Sequence, residues 1–191
     1  MKYVLKTKDE DTLCIFQGAK AILYTIQGSH QLAADHAIAN SENIFKTLRG
    51  HPLLMFLPLY MGISLFHVAK RSKQGIYKKF AKKMLSLTKE YHKKGNPNVL
   101  HHSVGLEAEM YILSGGRHNY QLAFSRYQSA ISIALMKGFT QEAALLNERY
   151  STFLKDQMGN HHLSSDCFQR AIQLYEQWGA LEKVKSLKSM V

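Results

Sequence analysis

The sequence predicts an all-α protein, an array of antiparallel helix hairpins (an α-solenoid) of about eight or nine helices. Three observations predict it. A unit recurs near the C-terminus: Tyr127-Gln-Ser-Ala130-Ile131 through Gly138-Phe139, and Phe168-Gln-Arg-Ala171-Ile172 through Gly179-Ala180. The two copies are offset by 41 residues at both ends. A fixed period of about forty residues, helical inside and closed by Gly, marks stacked hairpins that each leave an apolar face for a neighbour to cover. Apolar residues elsewhere recur at helical spacing between Gly and Pro breaks, and no segment alternates strictly over strand length.

Composition agrees with one array. Of 191 residues, 46% are hydrophobic and 20% charged, with only three Pro and no Ser/Gly-rich linker. That suffices for one cooperative core or a short solenoid, so residues 1–191 read as a single domain, with the clearest repeats over about 98–190. The formal net charge of +11 points to an acidic partner, either nucleic acid or the acidic face of a protein. Cys14 and Cys167 lie far apart and in no C-x-x-C pair, so they read as reduced thiols packed in helices. Met1 to Glu10 carries no apolar run of signal-peptide length. The expected location is therefore cytoplasmic. The apolar stretch Leu53–Val68 is shorter than the roughly 18–20 residues of a membrane span and reads as a buried core helix.

The elements follow in order. Asp9-Glu-Asp-Thr12 offers acidic residues and a capping hydroxyl before a first helix, in which Leu13, Phe16, Ile22, Leu23 and Ile26 lead to Gly28. A second helix runs from about Gln31 to Leu48, and its Ala33, Ala34, Ala37 and Ala39 permit a close neighbour. Gly50-His51-Pro52 breaks the chain. A third helix spans about Leu53 to Ala69, with Pro58 expected to kink it or set its start. Lys73 to Lys94 forms the fourth, with Ile76, Phe80, Met84, Leu87 and Tyr91 on one stripe and lysines opposite. Gly95-Asn96-Pro97-Asn98 ends it. Helices then follow over about Asn98–Leu113, Tyr120–Lys137, Thr140 to Gly159, and His162–Trp178. A short final helix runs from Ala180 to about Ser189.

The C-terminal half resembles a tetratricopeptide repeat. Ala123, Tyr127 and Ala130 reproduce the small-aromatic-small pattern of that repeat's second helix, and Ser164, Phe168 and Ala171 repeat it. Ala108 and Tyr111 match the preceding helix. The period is 41 where the repeat has about 34, the closing Pro is absent, and Arg149 stands where a small residue is usual. Two helices must cross closely in such a repeat, which makes Ala108, Tyr111, Ala123, Tyr127, Ala130, Phe168, Ala171 and Trp178 the expected packing residues.

A closer likeness lies in Asn96-Pro-Asn-Val-Leu-His101-His102 with Leu106-Glu107-Ala108-Glu109, and in Ala130-Ile-Ser-Ile-Ala134 before Gly138-Phe139. Gln141-Glu142 through Asn147-Glu148, and Tyr175-Glu-Gln-Trp178-Gly179-Ala180 with Lys183-Val184, extend it. Together these resemble the helical region of large multidomain signalling kinases, in which protein-kinase-like and AAA ATPase modules precede the repeats and GAF and histidine-kinase modules follow. The resemblance is best from about Lys73 onward. It implies a regulatory scaffold in signal transduction that binds signalling or ATPase modules, in cis or in trans, and it carries no catalytic residue or cofactor. The chain has no G-x-x-x-x-G-K-[ST], H-R-D or D-F-G element. It reads as a stand-alone relative or a segment of a longer gene.

Candidate chemistry is sparse. His101-His102 and His161-His162 are adjacent pairs, and adjacent residues point to different sides of a helix, so neither pair chelates as an i, i+4 pair would. No metal site is expected. Glu107, Glu109, Glu142 and Glu148 read as solvated or paired with Arg117, Arg126 or Arg149. Gly115-Gly116-Arg117 reads as an interhelical loop. No constellation of nucleophile, base and stabiliser is present, so no enzyme is expected. The strongest surface signal is the basic face of the fourth helix, formed by Lys78, Lys79, Lys82, Lys83, Lys89 and Lys93 with Lys94 beside them. It suits an acidic protein segment, then, as the alternative, nucleic acid bound along helix 78–94, and after these an anionic membrane surface, without insertion. Base stacking would need exposed aromatics there, and Tyr77, Phe80 and Tyr91 lie nearer the apolar side. Trp178 and Tyr175 are expected to pack the last helix onto the array.

Overall fold

The structure, a computed structural model, describes residues 9–189. The reading of Met1 to Lys8 as a polar start without a signal sequence lies outside the described residues. Among the described residues there are nine α-helices, one 3-10 turn and no strand. The chain divides at Gly95/Asn96 into two compact units. The first unit is a pair of hairpins, and the second is a pair of hairpins followed by a short helix.

The first unit holds α1 (Glu10–Ile26), α2 (His30–Thr47), α3 (Leu53–Ser72) and α4 (Gly75–Lys93). The cap of α1 is the Asp9 carboxylate, which accepts from the Thr12 backbone N–H at 3.1 Å and from the Thr12 hydroxyl. The expected capping hydroxyl thus serves the carboxylate instead of the backbone. The buried stripe of α1 consists of small residues, Cys14, Gly18, Ala21 and Thr25, while Phe16 and Leu23 remain exposed. A Cβ on Gly18 would sit 2.8 Å from Leu53 and 3.2 Å from Leu57, so its absence lets α3 come close. In α2, Ala33, Ala34 and Ala37 are wholly buried for the same reason.

Thirteen residues of α3 are buried, which makes it the core of this unit. It is the one described helix long and apolar enough to cross a membrane by length and composition, and most of it is covered by protein. The helix continues through Pro58. Its buried polar atoms are satisfied: the Thr25 hydroxyl lies 3.0 Å from the Tyr60 carbonyl and 2.9 Å from Ser64, and Ser64 lies 3.0 Å from His30.

The core stripe of α4 is rotated from the sequence expectation. Tyr77, Ala81, Met84, Leu85 and Thr88 are buried. Of the predicted stripe only Met84 is buried; Phe80, Leu87 and Tyr91 are half-buried and Ile76 is exposed. The small side chains Ala81 and Thr88 set the contact line, because they allow the closest backbone approach, and Tyr77 joins it by donating its hydroxyl to Asp35 of α2 at 2.7 Å.

The second unit opens with the 3-10 turn Pro97–Val99. It continues with α5 (Leu100–Ser114), α6 (Arg117–Met136), α7 (Thr140–Met158), α8 (His161–Trp178) and α9 (Leu181–Lys188). Gly138 and Gly179 adopt positive φ of 77° and 87° just past α6 and α8, the left-handed closure that the repeated Gly foreshadows. Helices α5 and α6 form one hairpin, α7 and α8 the next, and α9 lies against α8.

Candidate functional site

The second unit gathers His101, His102 and Glu142, all fully buried. The histidines come from the first turn of α5, and Glu142 comes from the first turn of α7. His101 Nε2 lies 2.5 Å from Glu142 Oε2, and His102 Nε2 lies 3.2 Å from the same oxygen. Adjacent helical residues diverge by about 100°, yet the two rings meet edge-on with centroids 4.3 Å apart, and both Nε2 atoms lie near the same Glu142 oxygen. Phe139 stacks on His101 at 4.7 Å and holds that ring in place. His101 Nδ1 and Glu142 Oε1 find no hydrogen-bond partner among the described residues.

Burial raises the Glu142 carboxyl, but the hydrogen bond to His101 and the nearby His102 imidazole outweigh it and hold it down at about 2. Burial also pushes the His101 imidazole below its ordinary value, against the pull of Glu142. The state at neutral pH is a carboxylate that accepts from a neutral His101. Two imidazole nitrogens and a carboxylate, each within 4.8 Å of the others, are a donor set of metal-ligand chemistry. The sequence reading places no metal here; the structure brings a third donor from α7 to the histidine pair.

The other three glutamates are taken up by packing. Glu109 accepts from Arg149 Nε at 2.7 Å and Nη2 at 3.1 Å, and from the Tyr127 hydroxyl at 2.7 Å, all buried. The large Arg149 side chain fits the interior because a bidentate carboxylate meets it. Burial disfavours the Arg149 charge, and Glu109 more than offsets that. Glu107 lies 3.2 Å from Arg126. Glu148 accepts from Lys183 at 2.7 Å and from Tyr175 at 2.9 Å, tying α9 to α7 and α8.

Among the expected packing residues, Ala108, Ala123, Tyr127, Ala130 and Ala171 are fully buried, and Tyr111 and Phe168 are half-buried. Trp178 is 44% exposed, unlike the packed role the sequence suggests. It is the last residue of α8, and Val184, Leu187 and Tyr175 fill the contact with α9 instead. The six lysines of α4 are all exposed, in the other unit from the histidine cluster.

The missed cluster left one signal. The His101–Glu142 contact spans 41 residues, which is the repeat offset. Equivalent positions of successive hairpins lie side by side in a stacked array, so the period itself pairs His101 with Glu142.

Fold and surface define a class: an all-α array of helix hairpins with a buried His-His-Glu cluster and one strongly basic helix. No family model, no curated protein and no solved structure matches the chain.

Proposed function

We propose that the chain is a non-catalytic helical-repeat module that binds other proteins, a regulatory scaffold of the kind its sequence resembles in multidomain signalling kinases. The observation that carries this reading is α4. Lys78, Lys79, Lys82, Lys83, Lys89 and Lys93 are all exposed, and Glu90 is the sole acidic residue of that helix. Such a row attracts acidic surfaces and steers their encounter at low salt. Tyr77 is buried and its hydroxyl is held by Asp35, so it offers no stacking face to a base. The preferred partner is an acidic protein segment.

The test is capture of partners from nuclease-treated and untreated lysate, using the natural chain and Lys78→Glu/Lys82→Glu/Lys89→Glu. Exposed substitutions of this kind leave stability within about 0.5 kcal/mol. The expected result is retention of acidic proteins that survives nuclease and is lost in the triple variant. Retention that vanishes on nuclease treatment would assign the face to nucleic acid. Equal capture by both chains would leave α4 no part in binding.

A further inference from the structure

We propose that His101, His102 and Glu142 form a binding site for a divalent first-row transition cation of the Zn²⁺ class, with the two Nε2 atoms and the Glu142 carboxylate as donors. The site is independent of the α4 surface.

The argument rests on convergence. Both Nε2 atoms lie near one carboxylate oxygen, at 2.5 and 3.2 Å, and one donor atom from each of the three residues lies within 4.8 Å of the others. Donors about 2.0–2.2 Å from a tetrahedral Zn²⁺ stand about 3.4 Å apart. The His102–Glu142 separation of 3.2 Å is already that length. The His101–Glu142 separation of 2.5 Å must open by about 0.9 Å, within reach of side-chain rotation. Glu142 Oε1 is buried with no hydrogen-bond partner among the described residues, so the carboxylate is free to turn toward a cation, and the fourth tetrahedral position would take a water. Two imidazoles and a carboxylate suit Zn²⁺ and its neighbours better than Mg²⁺ or Ca²⁺, which prefer all-oxygen shells.

The surroundings favour a structural ion. The three side chains are wholly buried, and Phe139 covers one face of His101. Glu142 is one turn before Leu146, and His101 is one turn before Gly105, whose missing side chain admits Leu146. A cation there would link α5 of one hairpin to α7 of the next. Because the donors are enclosed, loading would accompany folding.

The experiment refolds the full chain with and without Zn²⁺, removes loosely held metal by dialysis, and measures retained zinc by elemental analysis. The variants are His102→Ala and Glu142→Gln, with His162→Ala as control, since His162 is exposed. The expected result is about one zinc per chain in the natural protein and in His162→Ala, falling by about tenfold or more in the other two. A second measurement uses only the natural chain: refolding with Co²⁺ should give the strong visible absorption of a four-coordinate site. Zinc absent from the natural chain, or retained equally by His102→Ala and Glu142→Gln, would overturn the proposal. So would a weak, six-coordinate Co²⁺ spectrum, even if both variants failed to fold.

Discussion

A Cβ placed on Gly105 would lie 2.8 Å from Leu146 Cδ2, so α5 and α7 approach each other through a missing side chain. Gly18 stands in the same relation to Leu53 in the first unit. Each unit thus seats a leucine of its third helix over a glycine of its first. Gly105→Ala gains about 1 kcal/mol in helix propensity but overpacks a fully buried leucine at a cost of about 1–3 kcal/mol. The expected outcome in urea unfolding is a net loss of about 1 kcal/mol, smaller in a Leu146→Ala background. A stabilised Gly105→Ala protein would show that Leu146 turns aside freely.

Ala130 and Ala171 occupy equivalent positions of the two copies and are both wholly buried. Replacing either with Leu should overpack a helix crossing and cost about 1–3 kcal/mol. Thermal melts of the two variants check this. No loss in either would remove the packing basis of the repeat.

Glu109 and Arg149 are buried against each other, with Tyr127 on the same carboxylate. Removing one partner strands a charge, so Glu109→Gln and Arg149→Met should each cost about 3–5 kcal/mol. The double variant should cost far less than their sum. Additive losses in the double-mutant cycle would mean that the two side chains act separately. Tyr127→Phe, which removes one hydrogen bond, should cost about 1 kcal/mol or somewhat more.

Burial pushes the Cys167 thiol up to about 11 from its ordinary 9.0. The folded state therefore keeps its proton where the unfolded state loses it. Unfolding stability should fall as pH rises from about 9 to about 11, by up to about 1.4 kcal/mol per unit. Below pH 9 this contribution is fully present. The check is to compare the natural chain with Cys167→Ala across that range: the difference between their slopes should match. Parallel curves would place the thiol in solvent. Thiol-blocking reagents near neutral pH should label Cys167 only as fast as the chain opens.

Helices were legible because their signals are local. Gly breaks at 28, 50, 138 and 179 and apolar spacing place every helix to within about three residues, as the boundary uncertainty of such readings allows. Which side faces inward was harder to read. On α4 the large apolar residues Ile76, Phe80 and Leu87 suggested a stripe, yet Ala81 and Thr88 mark the true contact line. Periodicity counts hydrophobicity, whereas close helix packing is won by small side chains.

By itself, the sequence determined the fold class, the helix order and the 41-residue register, because hydrogen-bonded helices and their Gly stops depend on neighbours in the chain. It also placed seven lysines between positions 78 and 94. Tertiary structure alone decided which charges were buried and with whom. Glu107, Glu109, Glu142 and Glu148 look alike in sequence, but they end against Arg126, Arg149, the histidine pair and Lys183. Those pairings are long-range: a charge leaves water only where the fold delivers a partner, and that delivery depends on how helices stack.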